Sequence, residues 1–198
     1  MGKIFCLMGK SSSGKDTVFK LLQEDRELNL KPIIPYTTRP QRNNETNGLD
    51  YYFIDEETLR QYNSMGKIIE QREYDTVNGK WYYCTVNDGQ IDLAKENYLL
   101  IGTLPVYKRM QRYFGAENII PLYIEVDDAT RLERALFREK QQQRPNYEEL
   151  CRRFLADSND FCVEKLTECG IKKFYCNNDL KGCLDAIKSE IFSVIFGK

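Results

Sequence analysis

The clearest chemistry in this chain lies in one run, Gly9-Lys10-Ser11-Ser12-Ser13-Gly14-Lys15-Asp16-Thr17. Two glycines separated by four residues and followed by a lysine let a backbone fold tightly around an anion, with loop N–H groups and a helix N-terminus aimed at phosphate oxygens. Lys15 can reach the terminal phosphates of a bound nucleotide. The usual pattern places a Ser or Thr hydroxyl next, to hold Mg²⁺, but this chain has Asp16, with Thr17 one place late. A bare carboxylate beside phosphate would repel it, and a cation between the two removes the conflict, so Asp16 is a candidate Mg²⁺ ligand, directly or through water. The plainer alternatives are a glycine–serine turn that caps a helix and an acid in a first helical turn that favours the macrodipole.

Arginines form the second set. Arg39 and Arg42 sit three apart beside Pro35 and Pro40, in a segment that the prolines keep extended or looped. Arg131, Arg134 and Arg138 share one helical stripe, with Arg144, Arg152 and Arg153 beyond. Planar guanidinium groups suit phosphate oxygens, and the ordinary alternative is a solvated, ion-paired helix surface. There is no histidine, which excludes His-based triads and His–metal sites. With a net charge of −1, no global basic field points to nucleic acid. The seven cysteines, odd in number and without C-x-x-C pairing, predict reduced thiols in a cytoplasmic protein, and no apolar run reaches membrane-spanning length.

Elements of known type must position these groups. Ile4 to Met8 reads as a buried strand entering the glycine loop, and Val18 to Leu22 as the helix leaving it. Pro32 to Ile34 and Asp50 to Ile54 read as short strands, with a helix opening at Asp55 and ending near Met65-Gly66. Asn78-Gly79 between β-prone runs predicts a hairpin. Residues 36–86 therefore form a small β-rich insert. The α/β alternation then resumes: helix over Asp88 to Glu96, strand over Tyr98 to Ile101, helix over Val106 to Tyr113, strand over Ile119 to Val126, whose Pro121 suggests an edge or a late start. Asp127-Asp128 open a helix, Glu139 to Pro145 is an exposed polar loop, Tyr147 to Phe161 is helical, Lys173 to Cys176 is the last strand and Leu180 to Phe196 the last helix. The order predicts one α/β domain of 198 residues: a P-loop NTPase-type parallel sheet flanked by helices, ligands at the strands' C-terminal ends, a core of 1–35, 87–137 and 155–198, the insert, and a helical lid of about 138–154.

At this point the chain resembles the guanylate kinase family along almost its whole length. The phosphate loop matches except at Asp16. Thr37-Thr38-Arg39-Pro40-Gln41-Arg42 is similar to that family's T-T-R-x-x-R segment, Glu45 to Tyr51 to its E-x-N-G-x-D-Y, Tyr82-Tyr83-Cys84-Thr85 to Y-Y-G-[ST], and Asn177-Asn178-Asp179-Leu180 to N-D-D-L. The resemblance implies ATP at the loop residues Gly9 to Thr17 with Asn178 beside the adenine, and a GMP phosphate held by Arg39, Arg42, Tyr51 and Tyr83. Guanine would be read by Glu70 and Thr85, and Arg138 and Arg153 would act in the transfer, with Arg144 as an alternative. Lys15 and Mg²⁺ would neutralise the transferring phosphoryl group. Three positions depart from the family: Ile101-Gly102-Thr103 carries no carboxylate, Pro35 replaces a serine and Cys84 a glycine. The expected reaction is ATP-dependent phosphorylation of GMP; the alternatives are another nucleoside monophosphate or a non-catalytic interaction module.

Overall fold

The computed structural model describes residues 1–42, 45–76 and 79–197. Its centre is β1 (Ile4–Met8), five residues without a single exposed side chain. A strand covered on both faces reads as an unbroken apolar run because neither side of the pleat meets water. Alternation divides it: Ile4, Cys6 and Met8 enter one core cluster, Phe5 and Leu7 the other. The strands β2 (Leu30–Pro32), β7 (Asn97–Ile101), β8 (Ile119–Glu125) and β9 (Phe174–Cys176) complete a parallel sheet in the order β2-β7-β1-β8-β9. On one face lie α3 (Leu104–Phe114) and the short α6 (Val163–Glu168), packed through Val106, Tyr107, Met110 and Leu166. On the other lie α1 (Lys15–Gln23) and α7 (Leu180–Phe196), packed through Val18, Leu22, Cys183, Ile187 and Ile191. Burying each large aliphatic side chain contributes about 2 kcal/mol, so this double-faced core holds the strand ends, and the loops they carry, in place.

The second sheet has the order β4-β3-β6-β5, built from β3 (Tyr36–Thr37), β4 (Tyr52–Phe53) and the hairpin strands β5 (Ile68–Thr76) and β6 (Gly79–Val86). One side of it packs with α2 (Glu56–Ser64) through Tyr36, Leu59, Cys84 and Val86. That helix starts where the sequence predicts, because Asp55 accepts the Thr58 N–H at 2.8 Å. The opposite side carries Glu70, Arg72, Tyr74, Tyr83 and Thr85: the register pairs Glu70 with Thr85, Arg72 with Tyr83 and Tyr74 with Trp81. The turn residues Asn43, Asn44, Val77 and Asn78 lie outside the described residues.

Four expectations about elements need correction. Residues 88–96 are not helical: Asp88 captures the N–H of Gln90 and Asp92 that of Ala94, each two residues on and each at 3.0 Å, and Gly89 sits at φ 93°. Short acidic side chains that bind their own neighbours compete with the helix ladder. The strand expected over Pro32 to Ile34 lies earlier, at Leu30–Pro32. β8 is interior, not an edge, and starts at Ile119; Pro121 is tolerated because β9 pairs only with Tyr123 to Glu125, beyond it. The exposed loop expected from Glu139 begins later: α4 (Asp128–Lys140) runs past Glu139, which is buried because it accepts the Asn146 N–H at 2.6 Å, and α5 (Tyr147–Asp160) follows after a six-residue connection, 141–146. Among the described residues no helix is long and apolar enough to cross a membrane.

Candidate nucleotide site

The glycine loop lies where β1 ends and α1 begins. Gly14 precedes α1 at φ 84°, a left-handed conformation that a side chain resists, and no side chain caps the helix. The N–H groups of that first turn are thus left for a ligand. A Cβ on Gly14 would stand 2.4 Å from the Asn177 Nδ2, and one on Gly9 would stand 2.7 Å from the Ile124 carbonyl. Gly9 is fixed by close approach alone, Gly14 by close approach and by conformation. Ser12 is also left-handed at φ 63°, and the Ser13 hydroxyl is buried with no hydrogen-bond partner among the described residues.

Distant residues clamp the loop. The Asn177 Nδ2 donates to the Ser13 carbonyl at 2.8 Å, while its own backbone N–H donates to Glu125 at 2.9 Å. The Ser11 N–H donates to Asp157 at 2.7 Å. Arg131, 1% exposed, donates to the Ser11 carbonyl at 3.0 Å, pairs with Asp128 and with Asp157 at 3.2 Å, and stacks its guanidinium over Phe154. Lys10 is 3.5 Å from Asp128. Lys15 lies 3.9 Å from Asp16, whose side chain is 72% exposed. Thr17 lies in the same first turn of α1 and is exposed.

Arg138 donates to the Ser12 hydroxyl at 3.3 Å, and with Arg153 it borders a small hollow against Ser11 and Ser12. Arg153 is itself 3.4 Å from Glu149. Those two are thus brought together beside the loop, whereas Arg144 is exposed on the connection after α4. Asn178 is exposed; the asparagine that touches the loop is its neighbour Asn177. Sequence reasoning gave Arg131 only a place in the arginine stripe, quoted Asn177 without a role and passed over Asp157. Only the Asp128–Arg131 spacing, three apart on a helix, signalled in advance that Arg131 was more than a surface charge.

The second half of the site is the open side of the smaller sheet. Arg39, whose side chain is 3% exposed, donates to both oxygens of Glu45 at 2.8 and 3.0 Å, to the Tyr83 hydroxyl at 3.1 Å and to the Pro40 carbonyl at 2.7 Å. Its guanidinium stands over the rings of Tyr51 at 5.4 Å and Phe53 at 5.6 Å. Burial pulls the Arg39 pKa down, but the bonds to Glu45 and Tyr83 outweigh it and the net shift is upward. The same hydrogen bonds hold the Glu45 carboxyl below its usual range, and burial pushes the Tyr51 hydroxyl up. The Tyr51 and Tyr83 rings meet edge to face at 5.7 Å. Arg42 is exposed, and its N–H donates to Glu45 at 2.9 Å. Glu45 therefore organises both arginines, a role that sequence reasoning did not assign.

Further along the same side, Glu70 is 2% exposed and accepts the Thr85 hydroxyl at 3.0 Å. A buried carboxylate in a strand is not a water-facing surface group. Arg72 supplies its counter-charge, Nε to Oε2 at 3.2 Å, and this partner was not anticipated. Cys84, in the next register position, belongs to the opposite core side, where burial pushes its thiol up to about 12. Among the described residues no cluster of three acids or cysteines could hold a metal alone. A lone exposed carboxylate at the loop fits a Mg²⁺ that takes its other ligands from phosphates and water.

The model of the family described as guanylate kinase matches residues 1–97. The guanylate kinase of Porphyromonas gingivalis is 33% identical over 131 residues, 63% of this chain and 68% of that protein. That of Malacoplasma penetrans is 31% identical over 138 residues, 70% of this chain and 58% of that protein. That of Nitrosomonas europaea is 40% identical over 83 residues but spans only 39% of its length. The crystal structure of guanylate kinase from Anaplasma phagocytophilum superposes with a TM-score of 0.62 at 24% identity, over 97% of this chain and 85% of that one, and shares its fold.

Proposed function

The chain belongs to the guanylate kinase family, and from that premise we propose that it transfers the γ-phosphoryl group of ATP to GMP, giving ADP and GDP. One observation carries the reading furthest. Arg39, Tyr51, Tyr83, Glu70 and Thr85 share one side of the small sheet, joined by hydrogen bonds and ring contacts. An anion-binding end thus continues into a hydrogen-bonding end, as a nucleoside monophosphate requires.

In this mechanism the loop 9–14, through amides other than those of Ser11 and Ser13, which donate to Asp157 and the Lys10 carbonyl, and the first turn of α1 cradle the donor phosphates, and Lys15 follows charge onto the β–γ bridge as it breaks. Asp16 would hold Mg²⁺ from the protein side, and the bound ion would supply further neutralisation of the triphosphate. Arg39 and Arg42, with Tyr51 and Tyr83, hold the acceptor phosphate in line. Glu70 and Thr85 fix the base. Arg138 and Arg153 reach the transferring group from the lid of about 138–154 when it and the insert 36–86 close on the core, excluding water. Thr17 and Asn178 complete the donor side. The unpaired thiols fit a cytoplasmic setting.

The test is ADP formation from ATP with GMP, AMP or UMP as acceptor, with Mg²⁺ titrated for the native chain and for Asp16→Ser. GMP should be the preferred acceptor of these three, and Asp16→Ser should need more Mg²⁺ for half-maximal rate. A chain that makes no ADP with any monophosphate overturns the assignment.

A further inference from the structure

The Glu70–Arg72 pair holds an unusual remainder. The Oε1 of Glu70 is filled on both lone pairs, by the Thr85 hydroxyl at 3.0 Å and by the Arg72 Nη2 at 3.4 Å. The Oε2 of Glu70 and the Nε of Arg72 stand 3.2 Å apart, yet both are buried and, among the described residues, neither makes a hydrogen bond. A buried acceptor and a buried donor, side by side and unmatched, are costly to leave so. In this cluster Thr85 is 1% and Glu70 2% exposed, whereas the Arg72 side chain is 22% exposed. Rotation of Arg72 about its own side-chain torsions is therefore the least obstructed way to open the pair to a ligand, with the strands unmoved. Arg72 also lies in register with Tyr83, 5.9 Å from its ring, between the base-reading and phosphate-holding ends.

We propose that Arg72 is a second base-reading residue, and that with Glu70 it selects a lactam edge, a ring N–H beside a carbonyl. This rests on the nucleoside monophosphate kinase reading above. An acceptor beside a donor is complementary to a donor beside an acceptor. Guanine and hypoxanthine present N1–H beside O6, and uracil presents N3–H beside O4. Adenine and cytosine present the reverse, a ring nitrogen acceptor beside an amino donor, and would leave both Glu70 and Arg72 unsatisfied. Because Oε1 is already filled, recognition rests on the N1–H and O6 of the purine more than on its 2-amino group. The accepted bases are thus those with a lactam edge, so IMP joins GMP as a good acceptor and UMP is preferred to CMP.

The experiment compares GMP, IMP, AMP, UMP and CMP as acceptors, by kcat/KM at saturating ATP and by calorimetric binding, for the native chain, Arg72→Ala and Arg72→Lys. In the native chain GMP and IMP should agree within about tenfold, AMP should be at least ~10³-fold poorer, and UMP should exceed CMP by about tenfold. Both variants should lose IMP by about 10- to 100-fold and GMP by less, widening the GMP-to-IMP ratio; Arg72→Lys keeps the charge but not the planar donor, and serves if Arg72→Ala does not fold. A native chain that uses GMP but takes IMP ~10³-fold less well overturns this inference and leaves the kinase reading standing. So does a GMP-to-IMP ratio that neither folded variant changes, which would make Arg72 only the counter-ion of Glu70. A native chain that phosphorylates none of the five overturns the kinase reading itself.

Discussion

The two halves of the site are held in opposite ways. The phosphate loop is braced from across the chain: Ser13 by Asn177, 164 residues away, and Ser11 by Asp157 and Arg131, 146 and 120 residues away. The acceptor surface is braced from nearby: Arg39 by Glu45, six residues on, and Glu70 by Thr85, fifteen residues on. The loop is therefore a property of the complete parallel core, whereas the acceptor surface is a property of the small sheet. Damage to a loop brace should affect folding and donor binding together. Damage within the small sheet should affect the acceptor and leave the donor untouched.

Lys15→Met gives the largest effect and the cleanest separation. Loss of the loop lysine that this account sets against the terminal phosphates should lower kcat by about 10³-fold, with stability in urea unchanged within about 0.5 kcal/mol. Glu45→Ala comes next. It leaves the Arg39 guanidinium buried without its counter-charge, which should cost about 3 kcal/mol and raise the KM for GMP. If ATP affinity, measured by calorimetry, fell in step, the independence of the two halves would fail. Gly14→Ala should cost about 2 kcal/mol and weaken ATP binding, because φ 84° is strained for alanine and the added carbon meets Asn177. Asn177→Ala removes that clash but also the brace on Ser13, so in thermal melts its cost should be smaller beside Gly14→Ala than in the native chain.

The smallest effect is that of acid. The Glu45 carboxyl is lowered from 4.5, chiefly by hydrogen bonds from Arg39. A depressed carboxylate pKa contributes stability that is present above the unfolded value and lost as pH falls through the folded one. Urea midpoints measured downward from pH 5 should therefore decline below about pH 4.5 in the native chain, and decline less steeply in Glu45→Gln.

Legibility in the sequence follows the same division. The loop is read easily because strand, glycines, lysine and helix are contiguous, and the helix ends at Asp55, Asp127 and Leu180 are local signals that the structure reproduces. The braces are not contiguous. Nothing local says that Asn177 rather than Asn178 meets the loop, or that Arg131 is buried while Arg138 stays exposed. Those outcomes depend on which side of a helix or strand faces the core. The same limit hid Arg72, which reads as one more charge in a strand until the hairpin register sets it between Glu70 and Tyr83. The segment 88–96 failed for a different reason: its apolar spacing suits a helix, but its aspartates bind their own backbone instead.

The central claim is that two phosphorylated ligands lie end to end, one in the loop and one on the small sheet. A single compound tests it: adenosine and guanosine joined by a chain of five phosphates, titrated calorimetrically against the native chain, Lys15→Met and Arg39→Ala. The account predicts binding at least ~10²-fold tighter than ATP or GMP alone, weakened by either substitution, because the second end binds at high effective concentration. Binding no tighter than that of ATP, or indifferent to Arg39→Ala, would contradict it.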